Sequence, residues 1–126
     1  RLRASRGPDA LQRAGQRLLG SRTLRYMTGS SLPGGQDLVQ FGIPLFAEVK
    51  FDGQGFGLGF SVLQDPMAAG TLGTAGEFGW GGAASTAFWV DPKEELSVVF
   101  MTQLMPSGTF NFRGQLKSLI YSAIVD

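Results

Sequence analysis

Residues 76–91 read Gly-Glu-Phe-Gly-Trp-Gly-Gly-Ala-Ala-Ser-Thr-Ala-Phe-Trp-Val-Asp, and both tryptophans of the chain, Trp80 and Trp89, lie in that stretch. Between them, residues 81–86 are all small. Such a run inside a sheet packs poorly and costs backbone entropy. It therefore predicts that something comes close to the backbone there, either another strand or a substrate. Residues 78–86 and 87–90 are expected to form one long strand or a bent pair of strands, closed by Asp91-Pro92-Lys93-Glu94-Glu95, the clearest turn in the chain.

A second glycine pattern lies upstream. Gly53, Gly55, Gly57 and Gly59 alternate with Phe56, Leu58, Phe60 and Val62. In a strand this period puts the glycines on one face and the large apolar groups on the other. A dinucleotide-binding loop would need a helix to follow, and Phe60-Ser61-Val62-Leu63 continues as strand instead. The glycine face is expected to let another element pack closely. Residues 65–76, rich in Gly, Ala and Thr, read as a surface loop. Residues 96–104 are apolar on both faces, which predicts an interior strand covered above and below. Phe112, Leu116, Leu119, Ile120, Ala123 and Ile124 recur at helical spacing and predict a closing amphipathic helix over residues 110–125.

The first thirty residues differ in character. They hold seven Arg and one acid, against four basic residues and nine acids in the remainder. Residues 1–7 read as loose. A helix is expected from Pro8-Asp9 to Gly20 with Leu11, Leu18 and Leu19 on one face, and a second over residues 22–27 with Ser21 as its N-cap. Residues 37–50, interrupted by Pro44, read as an irregular loop. The whole is one domain, 1–126, divided into a basic helical segment (1–30), antiparallel strands (51–104) and a closing helix (110–125). That is an α+β pattern, an antiparallel sheet flanked by helices.

Composition removes several function classes. The net charge of +1 makes no case for nucleic acid, and the basic start reads as a solvated helical face. The chain has no His, so a Ser-His-Asp triad, a His-ligated metal site and a His base are absent from it. It has no Cys, which excludes disulfides and leaves the compartment open, with the cytoplasm slightly favoured over periplasm or export. No apolar run is long enough to span a membrane. No cofactor or metal is expected. The chain starts at Arg1 rather than Met, as expected where the true beginning lies elsewhere.

An ordered series of motifs carries a resemblance. Gly79-Trp80-Gly81-Gly82-Ala83, Ser85-Thr86 and Phe88-Trp89-Val90-Asp91-Pro92, with Leu32-Pro33-Gly34-Gly35, residues 55–60 and Val99-Phe100-Met101-Thr102-Gln103, are similar to the serine hydrolases related to class C β-lactamases and penicillin-binding proteins. They most resemble the β-lactamase-like esterases, which carry Trp-Gly-Gly where a lactamase carries Lys-Thr-Gly. The likeness runs from about Leu18 to the C-terminus.

The resemblance implies a serine nucleophile from a Ser-x-x-Lys motif and a Tyr-x-Asn motif. Neither stands in this chain. Ala47, Val90 and Gly114 precede Lys50, Lys93 and Lys117 by three places, and Thr28 and Ala123 follow Tyr26 and Tyr121 by two. Nor is there a Gly-x-Ser-x-Gly elbow. The chain is therefore expected to be the C-terminal portion of a hydrolase of carboxylic esters, with the nucleophile on an N-terminal remainder that acts as its covalent or second-chain partner. By the same resemblance, the backbone N–H of Ala83 is the oxyanion donor, a contribution typically worth about 2.7–4 kcal/mol. Trp80, Gly81 and Gly82 form the substrate wall. An indole cannot pair with a carboxylate, so Trp80 favours neutral ester substrates over anionic lactams. The competing reading of Trp80 is a large core residue at a strand end. Other readings of the whole are a β-lactamase, D-amino peptidase or acyltransferase of the same fold acting on a small ester or amide, or a truncated, non-catalytic binding module. Ser85 and Thr86 read as strand residues, Trp89 as core, Glu77 as a solvated loop carboxylate, and Asp91 and Glu94 as turn residues. With its N-terminal pairing strands elsewhere, the strand at 96–104 is expected to have one unpaired side and the chain to be unstable alone.

Overall fold

The computed structural model describes residues 2–6, 12–13, 16–42 and 50–125. Its centre is an antiparallel six-stranded sheet in the order β1-β8-β7-β6-β5-β4. The strands are β1 (Leu2–Arg6), β4 (Gln54–Phe56), β5 (Ser61–Leu63), β6 (Phe78–Gly81), β7 (Ala87–Asp91) and β8 (Leu96–Phe100). A separate short ladder joins β2 (Gln12–Arg13) to β3 (Gln16–Arg17). Helices α1 (Ser21–Met27), α2 (Leu38–Phe41), α3 (Pro66–Ala69) and α4 (Phe112–Tyr121) flank the sheet. This is the α+β architecture the patterning predicts.

The core forms where β7 and β8 meet α4. Trp89, Leu96 and Val98 are buried, and Leu116, Ile120, Tyr121 and Ile124 pack against them. Asn111 starts α4 by accepting a hydrogen bond from the Gly114 N–H at 3.0 Å, satisfying one of the donors that a helix start leaves orphaned. The helical periodicity of residues 110–125 therefore marks a real amphipathic helix, though Leu119 is 68% exposed and stands off the packed stripe.

Several expectations change. The alternating glycines do not lie in one strand. Residues 57–60 turn the chain, with the Gly57 N–H bonded to the Phe60 carbonyl at 2.8 Å and Gly59 at φ +98°, and β4 and β5 pair as a hairpin. A positive φ is cheap only for glycine, so the last glycine of the series makes the bend. The close approach expected of the glycine face is nonetheless there. A Cβ on Gly57 would stand 2.2 Å from the Met27 carbonyl and one on Gly55 would stand 2.3 Å from Ser30 Oγ. The chain leaving α1 therefore lies directly on the hairpin. Residues 37–50 and 65–76 each contain a short helix. Asp37 and Gln40 form a capping box on α2, and Asp65 caps α3 ahead of Pro66. Residues 43–49 lie outside the described residues.

In the basic start the second expected helix forms as α1, though its N-cap is Gly20 rather than Ser21, while the segment before it is not helical where it is described. Leu2–Arg6 is a strand, and Gln12–Arg13 pairs with Gln16–Arg17. Leu18 is 80% exposed, and Gly15 falls within the expected helix, where glycine costs about 1 kcal/mol against alanine. Leu11 and the proposed opening at Pro8-Asp9 lie outside the described residues. The sheet edge differs too. β8 is paired on both sides, by β7 and by β1, with Leu2 opposite Phe100 and Arg6 opposite Leu96. Strand pairing is a backbone affair, and an open edge accepts any extended segment that reaches it. β8 is also covered on one face only. Val98 is fully buried beneath α4, while Val99 is 44% exposed.

Candidate active site wall

The small-residue run is the turn of a hairpin. β6 pairs with β7, Trp80 opposite Phe88 and Gly81 opposite Ala87, and residues 82–86 join them. Trp80 projects from one face of β6 and Gly79 and Gly81 present the other. The Trp80 ring stacks near Phe51 at 6.2 Å and meets the edge of Phe56 at 4.9 Å, yet remains 42% exposed. It is not a sealed core residue. Trp80, Gly81, Gly82 and Ala83 all line an open cleft of about 1200 Å³.

The turn is tied down from several directions. The Gly82 N–H bonds the Thr86 carbonyl at 3.0 Å, and the Ser85 N–H bonds the Gly82 carbonyl at 3.1 Å. Ser85 is fully buried at φ 61°, and its hydroxyl donates to the Leu104 carbonyl at 2.9 Å. It is therefore a turn anchor rather than the strand residue the sequence suggests. The Ala83 carbonyl accepts from the Ser107 N–H at 3.1 Å. No hydrogen bond to the Ala83 N–H is found among the described residues, and Ala83 is exposed. The backs of Gly81 and Gly82 are occupied from within the protein: a Cβ on Gly81 would meet the Arg113 guanidinium at 2.2 Å, and one on Gly82 would meet Thr86 Oγ1 at 2.7 Å. The close approach that the small residues permit on this side is thus made by Arg113 and Thr86.

Beneath the sheet lies a polar cluster that sequence reasoning missed. Glu77 and Asp91 are 4% and 0% exposed. Lys117 from α4 pairs with Glu77. The Tyr121 hydroxyl lies 2.7 Å from Glu77 Oε2 and 2.8 Å from Asp91 Oδ2. Thr74 donates to Asp91 at 2.5 Å, and the Lys93 and Glu94 N–H groups donate to its other oxygen. Burial raises the Glu77 carboxyl above its ordinary value, against the opposing pull of Lys117. Burial first, and then the two carboxylates, push the Tyr121 phenol strongly up. Glu77 is thus no solvated loop residue, and Asp91 joins its turn to this cluster. The one legible signal was that Lys117 and Tyr121 lie four apart and share a helix face. Their partners are set by the fold.

The chain belongs to the beta-lactamase family, a family of hydrolases, whose model matches residues 8–121. It is 42% identical over 62 residues to Esterase EstB of Burkholderia gladioli, which covers 49% of this chain and 16% of that protein. It is 33% identical over 96 residues to an uncharacterized protein of Mycobacterium tuberculosis, 73% of this chain and 23% of the other. Among solved structures, EstCE1, a hydrolase with promiscuous acyltransferase activity, superposes with a TM-score of 0.67 at 26% identity, over 84% of this chain and 25% of that one. Simvastatin synthase from Aspergillus terreus shares the fold at a TM-score of 0.62 and 18% identity, over 83% of this chain and 28% of that one. The chain therefore spans between a sixth and a quarter of the length of the curated relatives it matches. No helix among the described residues is long and apolar enough to cross a membrane.

Proposed function

We propose that this chain is the oxyanion-hole strand and substrate wall of a serine hydrolase acting on carboxylic esters, with its Ser-x-x-Lys nucleophile on a segment N-terminal to residues 1–126. The observation that carries the reading is the tip of the β6–β7 hairpin. There the exposed Ala83 offers an N–H without a partner among the described residues, in the same cleft as the half-open Trp80 ring. An oxyanion donor has to be rigid, desolvated on one side and free to meet developing charge; the hydrogen bonds through Ser85, Ser107 and Thr86 supply the rigidity. Gly81 and Gly82 leave room for Arg113 and Thr86, which hold the turn in place, and Trp80 gives an apolar face suited to a neutral acyl or alcohol group. The likeness to Esterase EstB supports ester substrates. The likeness to EstCE1, a hydrolase with acyltransferase activity, supports acyl transfer to an alcohol as a second outcome of the same acyl-enzyme.

The test uses the complete enzyme and p-nitrophenyl esters of graded acyl length. Trp80→Ala is expected to lower kcat/KM about tenfold, equivalent to roughly 1.4 kcal/mol of transition-state stabilisation, while thermal unfolding stays close to wild type. A fluorophosphonate serine probe is expected to label the complete enzyme and not residues 1–126 alone. Loss of folding in Trp80→Ala without a separable kinetic effect would return Trp80 to the core. Stoichiometric labelling of the isolated chain would overturn the placement of the nucleophile.

A further inference from the structure

The peptide that carries the proposed donor is gripped by a side chain of α4. Arg113, in the first turn of α4, donates from Nη2 to the Gly82 carbonyl at 3.3 Å and to the Thr86 carbonyl at 3.2 Å. These carbonyls stand at the two ends of the hairpin turn. The guanidinium reaches them because residue 81 has no side chain, since any Cβ there would stand 2.2 Å from Nη2. The Gly82 carbonyl and the Ala83 N–H belong to one peptide unit. The cis peptide bond among the described residues is Met105–Pro106, so this unit is trans, with its C=O and N–H pointing in opposite directions. A cation that draws the Gly82 carbonyl toward itself therefore turns the Ala83 N–H away from the guanidinium. Hydrogen bonding at the carbonyl end also polarises the peptide and strengthens its N–H as a donor.

We infer that Arg113 is a positioning residue for the proposed oxyanion hole: from the α4 wall of the same cleft it orients and polarises the Gly82–Ala83 peptide. The inference rests on the reading of Ala83 given above. The turn keeps its other hydrogen bonds, Gly82 N–H to Thr86 and Ser85 N–H to Gly82, so its shape does not depend on the guanidinium alone. What Arg113 adds is the aim and strength of one donor.

A residue that merely ties α4 to the sheet would lower stability and leave the balance between ground-state and transition-state binding alone. The experiment therefore compares Arg113→Ala and Arg113→Lys in the complete enzyme, with p-nitrophenyl acetate as substrate and phenylboronic acid as a tetrahedral anionic analogue. Arg113→Ala is expected to lower kcat and kcat/KM together by about 10- to 100-fold, with KM little changed, and to weaken phenylboronic acid inhibition by a similar factor. Added guanidinium ion is expected to restore part of kcat in Arg113→Ala. Arg113→Lys keeps a cation with N–H donors on a shorter side chain that stops short of the Nη2 position, and is expected to fall between; it carries the test if Arg113→Ala fails to fold. Unchanged kcat and boronate inhibition with a lowered Tm would overturn the inference. If the wild-type complete enzyme hydrolyses no ester, the proposed function falls and this inference with it. If it hydrolyses esters in a Trp80-dependent and Arg113-independent way, only the inference falls.

Discussion

Glu77 sits where a charge is expensive. It is 4% exposed, with Lys117 on one oxygen and Tyr121 on the other. Tyr121 has one hydroxyl proton and lies within hydrogen-bond distance of both Glu77 and Asp91. That proton serves one carboxylate at a time, so the second contact is satisfied when Glu77 itself carries a proton. The same direction follows from desolvation, which raises the Glu77 carboxyl above its ordinary value of 4.5 despite Lys117. The sign for stability is then fixed. Between its unfolded and folded values the native state holds a proton that the unfolded chain has lost. Glu77's contribution is full below the unfolded value and is lost as pH rises through the folded one. Glu77→Gln removes this dependence. Urea-unfolding midpoints between about pH 4.5 and 8 are expected to fall with pH more steeply in wild type than in Glu77→Gln. Parallel profiles would show that Glu77 titrates at its ordinary value.

At the scale of elements, the β4–β5 hairpin and the chain leaving α1 are held together by contacts that only glycine permits. The Leu58 N–H bonds the Met27 carbonyl at 2.9 Å and the Ser31 N–H bonds the Phe56 carbonyl at 2.8 Å. Both bonds need the backbones to touch across Gly55 and Gly57. Gly57→Ala inserts a methyl group 2.2 Å from a carbonyl oxygen, so one of the two segments has to move. Overpacking of this kind costs about 1–3 kcal/mol, which thermal unfolding should register as a fall of several degrees in Tm. Gly34→Ala is a useful contrast, because a Cβ there meets nothing within 4 Å and its strain comes from φ +64° alone. Equal stability of Gly57→Ala and wild type would show that the α1 junction is not packed as described.

For the molecule as a whole, the exposed flank is the consequential feature. β1 shields the edge of β8, and the face bearing Val99 and Trp80 is only partly covered. Without β1, β8 would offer an unpaired row of backbone donors and acceptors beside exposed apolar side chains, a template for association. Deletion of residues 1–7 is expected to shift the chain toward concentration-dependent self-association in sedimentation velocity, relative to the undeleted chain. An unchanged sedimentation profile would show that β1 does not protect this edge.

Local signals in the sequence were enough for the α+β class, the turn after Asp91, the amphipathic α4 and the motif series from Gly79 to Pro92, because each depends on period, turn chemistry or short-range spacing. The resemblance carried by that motif series, rather than any local pattern, is what points to Trp80 and Ala83. Tertiary structure alone decided the rest. Whether Gly53 to Gly59 makes a strand or a hairpin depends on which residue takes a positive φ, and period does not record that. The pairing of Leu2–Arg6 with β8 is a backbone contact between distant segments, which side-chain patterning does not encode. Glu77, Asp91, Lys117 and Tyr121 become one cluster, and Arg113 comes to lie against Gly82, only when α4 docks on the sheet. A charged residue's partners are fixed by where the chain brings it, so its burial and its role are properties of the fold.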